Sequence, residues 1–129
     1  MIGTSGHGHV FVGACVPFGF VNVGPTQAGQ GWDWCSGYHY SDSTIVGFAQ
    51  LHLSGTGCGD LGDVALMPEI GQGAFATVDG KKKEIYAPAL FSHKNEHAEV
   101  GYYSVVLNNA IKAEVTATER VGFHRFTYP

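Results

Sequence analysis

The amino-acid sequence predicts an all-β chain, an antiparallel β-sandwich, from three observations. Its last third holds three strand-length runs divided by turn residues. The middle run alternates, with Ile111, Ala113, Val115 and Ala117 on one side and Lys112, Glu114 and Thr116 on the other, as a half-buried strand requires. No segment sustains a helical repeat of apolar residues.

Taken in order, Val10-Phe11-Val12 and residues 16–23 read as short strands. Pro17 confines its segment to an edge or a strand start, because proline has no N–H to give to a ladder. Residues 44–53 alternate roughly and form a further strand, and Val64-Ala65-Leu66-Met67 is a short apolar run stopped by Pro68. Residues 71–88 are the most solvent-like part. Asp79-Gly80 marks a turn there, and Lys81-Lys82-Lys83-Glu84 reads as a solvated hairpin tip rather than a binding patch. Residues 102–107, 111–117 and 121–128 then form a meander with one face on a core. Asn108-Asn109 is expected to supply the left-handed backbone of its first turn. The chain opens directly into a glycine-rich motif and stops at Pro129 just after a strand, so the sandwich is expected to be incomplete, with open sheet edges.

The 129 residues suit one domain, and 44% hydrophobic residues can fill a core. Charged residues make up only 14%, and a net charge of -4 argues against nucleic acid, which needs a basic footprint. No apolar run approaches the ~20 residues that span a bilayer. The opening Met1-Ile2-Gly3-Thr4-Ser5-Gly6 lacks the basic region and apolar stretch of a signal peptide. Cys15, Cys35 and Cys58 form no Cys-x-x-Cys, and their odd number leaves at least one thiol unpaired. All three are expected as buried, free, small apolar side chains. The 19 glycines, about double the usual ~7%, crowd into the first part of the chain, where tightly ordered loops bring backbone close to a ligand or another segment.

The most informative stretch is Gly31-Trp32-Asp33-Trp34-Cys35-Ser36-Gly37-Tyr38-His39-Tyr40-Ser41-Asp42. An indole can cover the apolar C–H face of a pyranose while Asp, His and backbone amides bond its hydroxyls. The same two tryptophans also fit as core anchors under a long loop, and composition leaves both readings open. Leu53-Ser54-Gly55-Thr56-Gly57-Cys58-Gly59-Asp60-Leu61-Gly62-Asp63 resembles a phosphate cradle only superficially, since no Gly-Lys-Ser/Thr follows; a tight loop presenting Cys58 fits better. His7-Gly8-His9 offers two imidazoles at a spacing that is more often a polar loop. His93-Lys94-Asn95-Glu96-His97 matches the His-x-x-Glu-His of some zinc peptidases, but that chemistry needs a helix, and Gly101 and a strand follow at once. Asp33, Asp42, Asp60 and Asp63 are carboxylates that spacing alone does not pair for glycoside hydrolysis.

Read in order, Ile2-Gly3-Thr4-Ser5-Gly6-His7-Gly8-His9, Val16-Pro17-Phe18-Gly19, residues 31–42 and residues 52–63 closely resemble the opening of glycoside hydrolase family 92 α-mannosidases. Phe91-Ser92-His93-Lys94-Asn95-Glu96, Gly101-Tyr102-Tyr103-Ser104-Val105 and Thr118-Glu119-Arg120-Val121-Gly122-Phe123-His124-Arg125 continue the likeness, which covers nearly the whole chain. It departs at Gln50-Leu51, where a histidine-containing pair is usual, at Val12, where proline is common, and at Asn22-Val23-Gly24-Pro25.

The resemblance implies that residues 1–129 are the amino-terminal, supersandwich-like β portion of a calcium-dependent, inverting exo-α-mannosidase. Such an enzyme is secreted, periplasmic or on the cell surface of a bacterium, and releases terminal α-mannose from glycans such as N-glycans. It implies that the catalytic carboxylates and most calcium contacts belong to a helical (α/α) barrel domain absent from this chain. Alone, these residues are expected to be catalytically silent. It also implies that Trp34 contacts the sugar, with Trp32, Asp33, His9 and Cys58 behind it. Two rival readings are a stand-alone mannose-binding β module and a small zinc hydrolase using His93, Glu96 and His97.

Overall fold

The computed structural model describes the chain apart from residues 30, 60, 72, 73, 79, 80 and 86, and describes the backbone of residues 74–78 and 81–85. Among the described residues the strands are β1 (Ala14–Cys15), β2 (Asn22–Thr26), β3 (Thr44–Ile45), β4 (Gly47–Ala49), β5 (Ala65–Leu66), β6 (Ala74–Val78), β7 (Lys81–Ile85), β8 (Ala89–Glu99), β9 (Tyr102–Leu107), β10 (Lys112–Ala117) and β11 (Gly122–Thr127). A 3-10 turn covers Trp32–Trp34. The strands form a four-stranded sheet β1-β2-β4-β5, a five-stranded sheet β11-β10-β9-β8-β3 and the hairpin β6-β7. Every pairing is antiparallel, as the all-β reading expects.

The carboxy-terminal meander is the frame. In and beside β10, Ile111, Ala113 and Val115 are buried against the other sheet, as the alternation predicts. β1 and β2 pack across β10, and β1 also meets β9. Val23, Ile45, Phe48, Tyr103 and Val105 complete one contiguous core. Each fully buried aliphatic or aromatic side chain there contributes about 1.5–3 kcal/mol.

Glu114, on the outer face, is nonetheless covered. Arg125 donates to it through Nε and Nη2, both at 2.7 Å, Tyr102 through its hydroxyl at 2.6 Å, and Lys112 at 3.0 Å. The cover is the stems and ring of its own partners rather than the core. The Arg125 bonds, then those of Tyr102 and Lys112, hold the Glu114 carboxyl well below the usual carboxylate range. The turn after β9 forms where expected, but Ala110 takes the left-handed backbone at φ 66. Asn109 instead uses its Oδ1 to accept the Ile111 N–H at 3.2 Å, so its side chain closes the turn and the left-handed position falls one residue later.

The first half departs further from expectation. Residues 10–12 are not a strand; pairing starts at Ala14. The run 16–23 is broken by a turn in which Gly19 N donates to Val16 O at 3.0 Å, with Pro17 at its second position and Phe18 at φ 62 in its third. Proline there presets a turn rather than marking an edge. Residues 44–53 divide into β3 and β4, which belong to different sheets, so the chain crosses the sandwich at Val46. The lysine run is strand β7 paired to β6, not a hairpin tip; the turn expected at Asp79-Gly80 lies outside the described residues. In β8 the register with β9 shifts between Phe91 and Glu96. Such an irregularity re-aims side chains, and here His93 and Glu96 reach Tyr38 beneath the tryptophan loop.

Candidate functional site: a tryptophan loop over a shallow cleft

The loop of residues 31–42 is built around the 3-10 turn Trp32–Trp34. A 3-10 turn has about three residues per turn, so side chains two apart point in different directions. The two indoles therefore serve separate clusters.

Trp34 is half-buried. Its ring stacks on His39, centroids 4.4 Å apart and planes at 27°. Its Nε1 donates to Asp42 Oδ2 at 3.1 Å, while Asp42 Oδ1 accepts from Thr44 N at 2.9 Å and Thr44 Oγ1 at 2.7 Å. His39 accepts the Ser41 hydroxyl at 2.8 Å on Nδ1 and donates from Nε2 to Gly6 O at 3.3 Å. Gln27, itself buried, donates to Asp42 O at 3.2 Å and receives the His39 N–H. The indole is thus fixed from behind by a hydrogen-bonded bracket. Trp34 lines a cleft of about 160 Å³ together with Thr26, Ser36, Gly37, His52 and Leu61. Small-ligand sites enclose roughly 300–1,000 Å³, so this cleft is the size of one wall of a pocket. A larger cavity of about 370 Å³ lies on the outer face beside Glu114 and Arg125. Its charged groups are spent on each other, which leaves little to orient a ligand.

His52 sits at the floor of the cleft. Its Nδ1 donates to Asn22 O at 2.8 Å and its Nε2 accepts the Thr26 hydroxyl at 2.9 Å. Burial pushes its pKa below the ordinary imidazole value, outweighing the bond to Asn22, and burial does the same to His124. An imidazole with a depressed folded pKa binds fewer protons than in the unfolded chain, so stability rises with pH. The contribution is complete above the unfolded value of about 6.5 and is lost as pH falls through the folded value. Urea unfolding from pH 7.5 downward is expected to show this acid-side loss, with a shallower slope in His52→Gln; an identical slope would contradict it.

Trp32 occupies the other cluster and is 59% exposed. Its Nε1 donates to Gly57 O at 2.7 Å, and its ring meets His9 edge-on at 4.2 Å and His7 at 5.5 Å. Asp33 Oδ1 accepts from His7 Nδ1 at 2.6 Å and lies 3.4 Å from His9 Nε2. The hydrogen bond from His7 is the main reason that the Asp33 carboxyl lies below its usual range. A Cβ on Gly57, at φ 66, would stand 3.1 Å from Trp32 Nε1, whereas one on Gly55, at φ 76, would meet nothing. Gly55→Ala is expected to cost only the left-handed backbone penalty of about 1–2 kcal/mol. Gly57→Ala should cost measurably more, because the indole must also move; equal costs in urea unfolding would contradict the contact.

Of the five residues expected at the sugar, the structure brings Trp32, Asp33 and His9 together, while Cys58 follows Gly57, whose carbonyl accepts the Trp32 N–H. Trp34 stands apart on the cleft. Cys58 is exposed and Cys15 and Cys35 are partly exposed, all three free. The expected burial of all three thiols is therefore corrected, most plainly at Cys58, which the glycine-rich loop lifts off the core. Asp42 spends its acceptors on Thr44 and Trp34, a bracing role, and Asp60 lies outside the described residues.

The zinc-hydrolase reading fails on geometry, since residues 93–97 run within strand β8. His93 pairs with buried Glu96 at 2.8 Å while His97 faces exposed Glu99 at 3.6 Å, so the two imidazoles serve different partners. Sequence reasoning missed Gln27, a lone polar residue with no pattern around it. It also missed the pairing of His39 with Trp34, for which the aromatic-rich run was the available signal.

Comparison with known proteins matches residues 1–129 to the model of the glycosyl hydrolase family 92 N-terminal domain. An uncharacterized secreted glycosidase of the fungus Arthroderma benhamiae is 31% identical over 131 residues, covering 100% of this chain and 16% of that protein. The fold superimposes with TM-score 0.87 and 38% identity on a family 92 α-mannosidase of Bacteroides thetaiotaomicron in complex with mannoimidazole, covering 99% of this chain and 17% of that one. A family 92 inverting mannosidase of the same bacterium gives TM-score 0.70 and 26% identity over 98% of this chain and 16% of that one. This chain thus spans about a sixth of the length of these relatives.

Proposed function

The chain belongs to glycosyl hydrolase family 92 as its N-terminal domain, and from that premise we propose that it forms one wall of the terminal-mannose pocket of an extracellular, inverting exo-α-mannosidase. The observation that carries the reading is the braced Trp34 indole, half-buried on a cleft of about 160 Å³ that is too small to be a whole site. An indole held in one orientation can receive the C–H face of a pyranose without ordering itself on binding. Trp32, Asp33, His9 and Cys58 edge the same loop and would meet the more distant part of the glycan.

Acid–base chemistry on a glycosidic bond needs two carboxyl groups flanking it. Asp42 and Glu96 are committed to internal hydrogen bonds, and Asp33 is committed to histidine. These commitments agree with the family resemblance, which puts the general acid and base in the part of the enzyme beyond these residues. It puts calcium there too. Calcium takes six to eight oxygen ligands, and the cluster of ligand-type side chains found among the described residues, His7, His9 and Asp33, is mostly nitrogen. That donor set does not fit calcium.

The test is mannose release from a terminal α-mannoside in the presence of calcium. The full-length polypeptide carrying this domain is expected to release mannose and the 129 residues alone to release none. A folded full-length protein without activity would overturn the reading, and so would hydrolysis by the isolated domain. Saturable mannose binding by the isolated domain would favour a self-sufficient carbohydrate-binding module instead.

A further inference from the structure

Two imidazoles and one carboxylate converge on the Trp32 side of the loop. One ring nitrogen each from His7 and His9 and one carboxylate oxygen from Asp33 lie within 4.8 Å of one another, and His7 Nδ1 and His9 Nε2 both approach Asp33 Oδ1. They come from two separate loops, and the backbone is arranged to bring them there. The amino-terminal loop folds on itself, with Gly8 N donating to Ser5 O and Val10 N to Gly3 O, both at 3.3 Å. Only glycine fits at position 8, since a Cβ would stand 2.0 Å from Gly3 O. His9 is held at φ 51, a left-handed conformation uncommon for a residue with a side chain, though histidine tolerates it better than most. Strain of this kind gathers where a side chain must be aimed. The His9 ring is 7% exposed and wedged edge-on against Trp32, so its Nε2 is fixed toward Asp33. His7, 77% exposed, is the free arm of the three.

We propose that His7, His9 and Asp33 bind one divalent cation of the zinc class, which staples the amino-terminal loop to the turn carrying Trp32 and Trp34. Two imidazole nitrogens and one carboxylate oxygen form a donor set that suits zinc and its neighbours. Tetrahedral bonds of about 2.0–2.1 Å set ligand atoms roughly 3.3 Å apart. His9 Nε2 and Asp33 Oδ1 already lie 3.4 Å apart. His7, whose Nδ1 is now 2.6 Å from the same oxygen, would have to draw back from the carboxylate and settle beside His9, whose ligand atom lies within 4.8 Å of its own, an adjustment open to its exposed side chain. On binding, His7 carries its proton on the solvent-facing Nε2 and offers Nδ1 as a lone pair. Three protein ligands leave a position for water on the solvent side.

The site assigns His9 and Asp33 to the metal rather than to direct glycan contact, leaving the Trp34 wall as it is, and its test reads metal rather than hydrolysis. The full-length protein, stripped of metal, is titrated with zinc by calorimetry and with cobalt(II) by visible absorption, beside His7→Ala and Asp33→Asn. Wild type is expected to bind one more equivalent of zinc than His7→Ala, or to bind it at least about tenfold more tightly. It should also show a cobalt d–d band that His7→Ala lacks. Calcium at the same concentration should not compete. His7→Ala alters an exposed side chain, so folding is not at risk, and Asp33→Asn provides an independent loss of a ligand. Equal zinc stoichiometry and affinity in wild type and both variants would overturn the proposal, as would displacement of zinc by equimolar calcium.

Discussion

Glu96→Ala is expected to destabilise the protein by about 3–5 kcal/mol. The Glu96 side chain is 0% exposed. It accepts the Tyr103 hydroxyl at 2.7 Å, the Tyr38 hydroxyl at 3.0 Å and His93 Nδ1 at 2.8 Å. Burial first, and Glu96 second, push the ionisation of both tyrosines upward, so each remains an O–H donor at any ordinary pH. Truncation leaves the hydroxyls of Tyr38 and Tyr103, both fully buried, without their acceptor, while partly exposed His93 can turn to water, and the penalty for the stranded donors exceeds the net worth of the bonds. Glu96→Gln keeps the shape but turns an amide N–H₂ toward donors, for an intermediate loss of about 1–3 kcal/mol. The measurement is urea unfolding. Wild-type stability in Glu96→Ala would mean that the network does not hold the floor of the tryptophan loop.

Asp42→Asn is expected to act on the loop itself. Its Oδ1 can still accept from Thr44, but an amide nitrogen would replace Oδ2 and face the Trp34 N–H, donor against donor. Stability should fall by about 1–3 kcal/mol, and the indole should lose its fixed orientation. The two effects separate by measurement: unfolding reports the first, and activity of the full-length enzyme on a terminal α-mannoside reports the second. Asp42→Ala, which strands the Thr44 donors too, should cost more stability than Asp42→Asn. The reverse order would show that Asp42 is not the bracket described here.

The meander was legible because its chemistry is local. Alternation along residues 111–117 marks a face, and the face finds the core. Even so, Glu114 reads as solvent-facing in the pattern yet is covered, because its partners on β9 and β11 become visible only once the strands pair. The first half was less legible for the same reason in stronger form. The turn at Pro17-Phe18 and the crossing at Val46 are decided by which sheet each short apolar piece joins, and pieces of two or three residues carry too little pattern to say. At the site, residue types drew attention to residues 31–42 but left sugar contact and core packing both open; the choice of Trp34, Trp32, Asp33, His9 and Cys58 came from the family resemblance. That the turn sends the two indoles to different clusters, and that His7 joins His9 at Asp33, depends on a 3-10 geometry which composition does not encode. Cys58 was misjudged because a free thiol is buried by default, whereas a run of left-handed glycines overrides that preference.

The most direct measurement is kcat/KM for a terminal α-mannoside in the full-length enzyme, wild type against Trp34→Ala. Loss of one stacked ring, about 0.5–1.5 kcal/mol, should lower it by roughly two- to tenfold with the fold intact. An unchanged kcat/KM in a fully folded Trp34→Ala protein would contradict the claim that this indole faces the sugar.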